Sequence, residues 1–373
     1  AVEETRLGDP VGKVGKRNKA KGILRDALRA KSVGMIEEIP EKGIAKYAKP
    51  VGVIASLVPT TNPVVTPVGQ AIYAIKARDV VIFSPHPRAK GVTKKAIDIM
   101  RETLVREGAP ADILQCIEKP SIPVTKELMA RANLVIATGG RPMVKSAYSS
   151  GTPAYGSGAG NSTMIIDETA DVKEAAMNTR ISKYSDFGSG CSCDGNLVIH
   201  ASVYDAMVEA LKAEGGYLAN KQEAEALKKV MWDENGHRLP DTVAISAQKL
   251  AEAAGFTIGS EYKFIIYNVG GKGHSCGIYS FNDEHIHRLA LAAPVSRIMV
   301  RQPQNKANAG SFTNGMPMTS SMGCGTWGGN IVSENIALKH YMNTTWVART
   351  IPEDKPSDEE LFGKYYDPAL DQE

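Results

Sequence analysis

The sequence predicts an α/β protein built on parallel sheets with helices packed on both faces. Three observations carry this reading. Short runs rich in Val and Ile alternate with longer amphipathic stretches along most of the chain. The short runs are apolar almost throughout, the pattern of strands buried on both sides. Helix-length segments separate them, and parallel strands need such crossovers.

Taken in order, residues 35–49 alternate charged and apolar side chains, which suits an exposed hairpin better than a core strand. Strands are expected over 51–58, 79–83, 113–117, 133–137, 163–166, 196–200, 263–267 and 297–301. Helices are expected over 64–77, 89–107, 125–132, 172–183, 202–214, 222–231 and 244–254. A glycine-rich stretch over 147–162 marks the domain boundary. The polar, acidic, proline-bearing tail over 351–373 is expected to run over the surface or onto a partner subunit.

Composition narrows the function class. A chain of 373 residues exceeds one ordinary core and suits two domains. With 43% hydrophobic and 23% charged residues it reads as a soluble globular protein. A net charge of +3 gives no general pull toward nucleic acid or membranes. No window approaches the roughly 18 apolar residues of a membrane span, and the first residues carry acids rather than a signal-like apolar stretch. Five cysteines, an odd and low number, point to a reducing compartment, with the cytoplasm expected. Cys191 and Cys193 lack a second Cys or His pair at zinc-site spacing, so no metal is expected.

Three segments carry polar groups where strands should end. Thr60, Thr61 and Asn62 follow one strand and precede a helix; they serve either as helix caps or as ligands at the sheet's carboxyl edge. Ser84, His86 and Arg88 stand among prolines after the next strand, either stopping it or meeting a cofactor's ribose and phosphate. Gly139 begins a turn into a helix and offers backbone N–H groups to a phosphate. The literal G-x-G-x-x-G at Gly323, Gly325 and Gly328 follows a polar run, not a strand, and is rejected as a dinucleotide fingerprint.

The nucleophile candidate is Cys191, in a Gly-Ser-Gly-Cys turn between a helix and a strand, where a helix terminus or an approaching cofactor can lower its pKa. Cys116 reads as a buried, inert strand thiol, while Cys276 and Cys324 fall in glycine-rich loops. His274, flanked by glycines, is the best general base. Arg301, beside Gln302, Gln304 and Asn305, is either a surface arginine or the partner of an anionic substrate group.

As an ordered set, these segments resemble the CoA-acylating branch of the aldehyde dehydrogenase superfamily. The motifs are Tyr47-Ala-Lys-Pro-Val-Gly-Val53, Pro59-Thr-Thr-Asn-Pro63, Phe83-Ser-Pro-His-Pro-Arg-Ala-Lys90, Ala137-Thr-Gly-Gly140, Ala147-Tyr-Ser-Ser-Gly151, the Cys191 turn, Gly273-His274 and Gly323-Cys-Gly-Thr-Trp-Gly-Gly-Asn330. Within the branch the chain is most similar to enzymes of sulfoacetaldehyde, with those of succinate semialdehyde close behind. The resemblance implies an aldehyde dehydrogenase-like α/β fold. It comprises a Rossmann-type cofactor domain over 1–162 with an oligomerisation hairpin at 35–49, a catalytic domain over 163–345 and a C-terminal arm over 346–373.

It also implies Cys191 as the catalytic thiol, Asn62 or Thr61 with the Cys191 backbone N–H as oxyanion donors, and His274 as an aid to the thiol or CoA step. Thr60, Thr61, Ser84, His86, Arg88 and Gly139 are implied for NAD or NADP. Coenzyme A is the implied co-substrate, and a homodimer or homotetramer the implied assembly. Hydrolytic members carry a Glu-Leu-Gly-Gly glutamate that activates water. The corresponding Ser157-Gly158-Ala159-Gly160 has no carboxylate, which favours thiolysis. Family members also carry several dozen residues before Ala1, and several dozen between 265–269 and 271–274 that include a glutamate for the nicotinamide ribose. A hydrolytic dehydrogenase, an acylating enzyme of acetaldehyde and a catalytically inactive scaffold are the competing readings.

Overall fold

In the computed structural model, which describes residues 1–158, 162–234, 236–267 and 275–365, the apolar run Val53–Val58 forms the middle of a parallel sheet. The spatial order is Leu114–Cys116, Val80–Pro85, Val53–Val58, Leu134–Thr138 and Ala154–Ser157, with every neighbouring pair parallel. Ile54, Leu57, Val81, Phe83, Val135 and Ile136 are all buried, as strands covered on both faces must be. The chain first builds outward through Val80–Pro85, then returns to the other side of Val53–Val58. The order therefore reverses between Val53–Val58 and Leu134–Thr138, and the carboxyl ends of such a pair frame the usual ligand crevice.

A second sheet runs Ile298–Val300, Cys276–Tyr279, Ser162–Ile166, Asp194–Ile199, again all parallel. Its core joins Met164, Ile166 and Tyr279 to Met207 and Leu211 of the helix Tyr204–Ala213. A short parallel pair, Gly216–Leu218 with Phe264–Ile266, adds Phe264 to that core. Both sheets belong to one compact unit of Ala1–Ala30 and Pro50–Tyr341.

The second unit comprises Lys31–Lys49 and Met342–Glu373. Gly34–Ile39 and Ile44–Pro50 pair antiparallel, and Gly43 closes their connection at φ 59. Met342–Ala348 pairs beside Ile44–Pro50 as a third strand. Lys46 Nζ lies 4.4 Å from the Trp346 ring centroid and 2.7 Å from Glu37 Oε2.

All eight expected strands and all seven expected helices form, with ends shifted by three residues at most. The expected hairpin forms as well. Sequence reading missed the strands Ala154–Ser157, Gly216–Leu218, Cys276–Tyr279 and Met342–Ala348, and the helices Pro10–Gly15 and Arg17–Arg29. The first lies inside the glycine-rich stretch read as a boundary. Cys276, expected in a loop, opens a buried strand next to the middle of the second sheet. Gly277 within it weakens any strand signal. No helix among the described residues is long and apolar enough to cross a membrane.

Candidate active site

The helix Val172–Tyr184 ends in a turn that two residues hold in the left-handed region: Asp186 at φ 54 and Phe187 at φ 49. Such backbone is costly for residues with a Cβ and persists only where the surroundings fix it. Here the buried Asp186 carboxylate does so. It accepts from the Asp9 backbone N–H at 3.0 Å, from Lys13 Nζ at 2.9 Å, and from Lys16 Nζ and Ser189 Oγ. Burial alone would raise its pKa, but Lys16, Ser189 and Lys13 outweigh that and hold the carboxyl below its usual value.

The same lysines tie this turn to the end of the first sheet. Lys13 Nζ donates to the Thr61 carbonyl at 2.8 Å, and Lys16 Nζ donates to Asn62 Oδ1 at 2.6 Å and to Ser189 Oγ at 2.9 Å. Burial and neighbouring Lys13 lower the Lys16 pKa to about 8, against the pull of Asp186. With Oδ1 committed to Lys16, the Asn62 amide presents Nδ2 as its donor. That Nδ2 has only a long 3.4 Å contact to Thr61 Oγ1.

Cys191 follows in the same turn, before the strand Asp194–Ile199. A Cβ on Gly190 would come within 2.5 Å of Asn305 Oδ1, so a side chain there would displace that amide. Burial raises the Cys191 pKa, and Lys19, Arg297, its own backbone N–H and Lys16 oppose the rise without reversing it. Desolvation thus outweighs the nearby cations and leaves the thiol's pKa above its ordinary value. Cys193 Sγ donates to the Gly188 carbonyl at 3.2 Å. Cys116 is half-buried with its thiol pushed up to about 11, whereas Cys276 and Cys324 are buried. Behind the turn, Gln304 Nε2 donates to Asp194 Oδ1 at 2.9 Å and to the Thr163 carbonyl at 3.1 Å. Burial pushes the Asp194 carboxyl up to about 7.

The two sheets thus meet the site from opposite ends. Asn62 stands at the carboxyl edge of the first, and Cys191 at the amino edge of the second. Arg301, by contrast, follows Ile298–Val300 and so lies at the carboxyl edge of that second sheet. Its guanidinium pairs with Glu174 at 2.8 Å and stacks over Phe281 at 3.7 Å. The expectation that it meets the substrate is corrected, because it is on the far edge from the thiol and already neutralised. Asp167, Glu168 and His285 gather ligand atoms within 4.8 Å at that same edge. A 2.9 Å hydrogen bond between His285 Nδ1 and Asp167 Oδ2 accounts for the grouping.

The expected cofactor residues line the carboxyl edge of the first sheet. Thr60 and Thr61 flank the switch point on one side and Gly139 on the other, with its N–H bonded to the Ser157 carbonyl at 3.0 Å. A Cβ on Gly139 would meet Met143 Sδ at 2.7 Å. Ser84 is buried and shares a 2.8 Å hydrogen bond with Thr125 Oγ1. His86 Nδ1 caps its own turn by accepting from the Arg88 N–H at 3.1 Å. Burial, then Arg88, lowers the His86 pKa and keeps it neutral. Arg88 reaches the Thr5 carbonyl at 3.4 Å and Asp241 at 3.7 Å. His274 lies outside the described residues. Sequence reading missed Lys13, Lys16, Lys19 and Asp186, since an isolated lysine or aspartate carries no motif.

Comparison with known proteins follows this geometry. The profile of the aldehyde dehydrogenase family matches residues 19–232. The chain is similar to a sulfoacetaldehyde dehydrogenase of an Acholeplasma species, 45% identical over 98% of this chain and 84% of that one. It is 36% identical to the succinate-semialdehyde dehydrogenase (acetylating) of Clostridium kluyveri, over 97% of this chain and 89% of the relative. The crystal structure of an acetylating aldehyde dehydrogenase from Geobacillus thermoglucosidasius superposes with a TM-score of 0.89 at 31% identity, covering 95% of this chain and 88% of that one.

Proposed function

The chain belongs to the aldehyde dehydrogenase family, and we propose that it is a CoA-acylating member that oxidises a small anionic aldehyde, sulfoacetaldehyde first among the candidates. The observation that carries the reading is the tether from Asn62 through Lys16 to Ser189, which holds an amide donor beside the turn of a thiol. The names of the similar enzymes support both the anionic aldehyde and the acylating outcome.

In this reading Cys191, once deprotonated, adds to the aldehyde carbon. Asn62 Nδ2 and the Cys191 backbone N–H receive the developing oxyanion. When bound, NAD or NADP supplies the hydride acceptor that turns the thiohemiacetal into a thioester. The thiol of CoA then displaces Cys191, releasing acyl-CoA and restoring the free thiol. This reading puts the cofactor at the switch point, between Thr60 and Thr61 on one side and Gly139 on the other, although the Gly139 N–H already bonds the Ser157 carbonyl. Ser84, His86 and Arg88 are proposed for its adenosine half, although the first two already bond within the protein. The Ser157-Gly158-Ala159-Gly160 run lacks a carboxylate to activate water, so thiolysis is preferred over hydrolysis.

The chain is further proposed to assemble as a homodimer or homotetramer through its three-stranded unit. Met342–Ala348 is exposed from its second residue to its last, which leaves Trp346 and its neighbours open to a second copy. Five free cysteines support a reducing compartment, the cytoplasm.

Incubation with sulfoacetaldehyde and NAD(P) but no CoA should leave an acyl adduct on the Cys191 peptide, which CoA then discharges. Peptide mapping decides the matter: an adduct on Cys193 alone, or none at all, would defeat the assignment.

A further inference from the structure

The cations around Cys191 outnumber the carboxylates available to them. Asp186 is already shared by Lys13 and Lys16. One turn further on, in the helix Arg17–Arg29, stands the half-buried Lys19. Among the described residues, no carboxylate pairs with it. The charged groups that act on Lys19 are Cys191 and Lys306. Lys306 follows Asn305, the residue that packs on Gly190, and its Nζ donates to Ser185 Oγ at 2.8 Å. It too has no carboxylate partner among the described residues.

Lys16, on the same helical face one turn before Lys19, reaches Ser189 Oγ at 2.9 Å, and Lys306 reaches Ser185 Oγ, so two ammonium groups without a carboxylate partner, those of Lys19 and Lys306, border the turn that carries the thiol. Burial lowers the Lys19 pKa, the Cys191 charge pulls it back up, and Lys306 lowers it further. A half-buried cation beside another cation is unfavourable until a counter-charge arrives. An anionic aldehyde bound for attack at Cys191 would bring one, because only one or two methylenes separate its carbonyl carbon from its acid group. Three sulfonate oxygens can accept from both ammonium groups at once.

Building on the acylating reading above, we propose that Lys19, assisted by Lys306, receives the anionic end of the aldehyde and sets the preference for charged over neutral substrates. Arg301 has no share in this, being held by Glu174 at the other edge of the sheet.

The test uses the whole chain and two readouts. The first needs no turnover: ethanesulfonate and propionate, as sulfonate and carboxylate probes, should slow alkylation of Cys191 by iodoacetamide. In Lys19→Met the protection constant of the better probe should weaken at least about tenfold. Lys19→Arg, which keeps the charge, should fall between the two. The second readout is the ratio of kcat/KM for sulfoacetaldehyde to that for propionaldehyde, which should drop at least about tenfold in Lys19→Met, chiefly through KM. Absent protection in the wild type, or protection and ratio both unchanged within about twofold in Lys19→Met, overturns the proposal. So does a raised pH midpoint of alkylation with an unchanged ratio, since the lysine would then serve the thiolate. Protection by either anion without CoA-dependent turnover on any aldehyde would instead defeat the acylating reading and leave the anion receptor standing.

Discussion

At Cys191 two influences oppose each other: burial pushes the thiol's pKa up, while Lys19, Arg297 and Lys16 pull it down. The balance leaves the thiol's pKa above its ordinary value. Asp194, three residues on, shows the same desolvation in a carboxyl group pushed up to about 7. Its Oδ2 has no hydrogen-bond partner among the described residues. A carboxyl whose folded pKa lies above its unfolded value of about 3.9 favours folding while protonated, and that advantage fades as pH rises from about 4 to about 7. Asp194→Asn, which keeps the shape without the charge, should therefore gain Tm over wild type as pH is raised through that window and level off above it. A difference that stays flat from pH 4 to 8 would show that Asp194 does not titrate there. Cys191 itself was legible in the sequence because small residues crowd a helix-to-strand turn. The direction of its pKa was not, since desolvation depends on what the fold packs around it.

The turn that carries the thiol is an element held together by one carboxylate. Asp186→Asn isolates that charge, because Asn tolerates the left-handed backbone as readily as Asp. Breaking a buried ion pair from one side should cost about 3–5 kcal/mol in urea unfolding, and Asn62 should lose its anchor as Lys16 is released. A loss below about 1 kcal/mol would mean that the lysines find other partners. The Asp186 contribution has the opposite pH sense to that of Asp194. Its folded pKa is lowered, so it is present above the unfolded value and disappears as pH falls through the folded one.

The hairpin unit is the second element with a definite expectation. Trp346 is 59% exposed on Met342–Ala348, and Trp346→Asp should convert the assembly to monomers in sedimentation velocity. An unchanged sedimentation coefficient would move the interface elsewhere. The hairpin could be read from its charge alternation, whereas its third strand lies some 300 residues away in sequence, and no local pattern announces such a partner.

Across the whole molecule, continuous apolar runs were enough to forecast parallel βαβ units and their helices, because strands buried on both faces have little choice of side chain. The missed parallel strands are three or four residues long, and all three begin at or contain glycine, so tertiary pairing made them where propensity did not. The arrangement that matters most was also hidden: Asn62 from one sheet's carboxyl edge and Cys191 from the other's amino edge are joined by lysines of a helical segment between residues 10 and 29 that sequence reading left blank. Only the fold brings them together. The family resemblance fixed which chemistry to expect, and the tethered amide and thiol supply parts suited to it.

The measurement that bears most directly on the central claim is steady-state NAD(P)H formation from sulfoacetaldehyde by the wild-type enzyme, with and without CoA. The account predicts sustained turnover only with CoA and no more than a single burst without it. Sustained turnover in the absence of CoA would contradict it and require a water-activating base at Cys191.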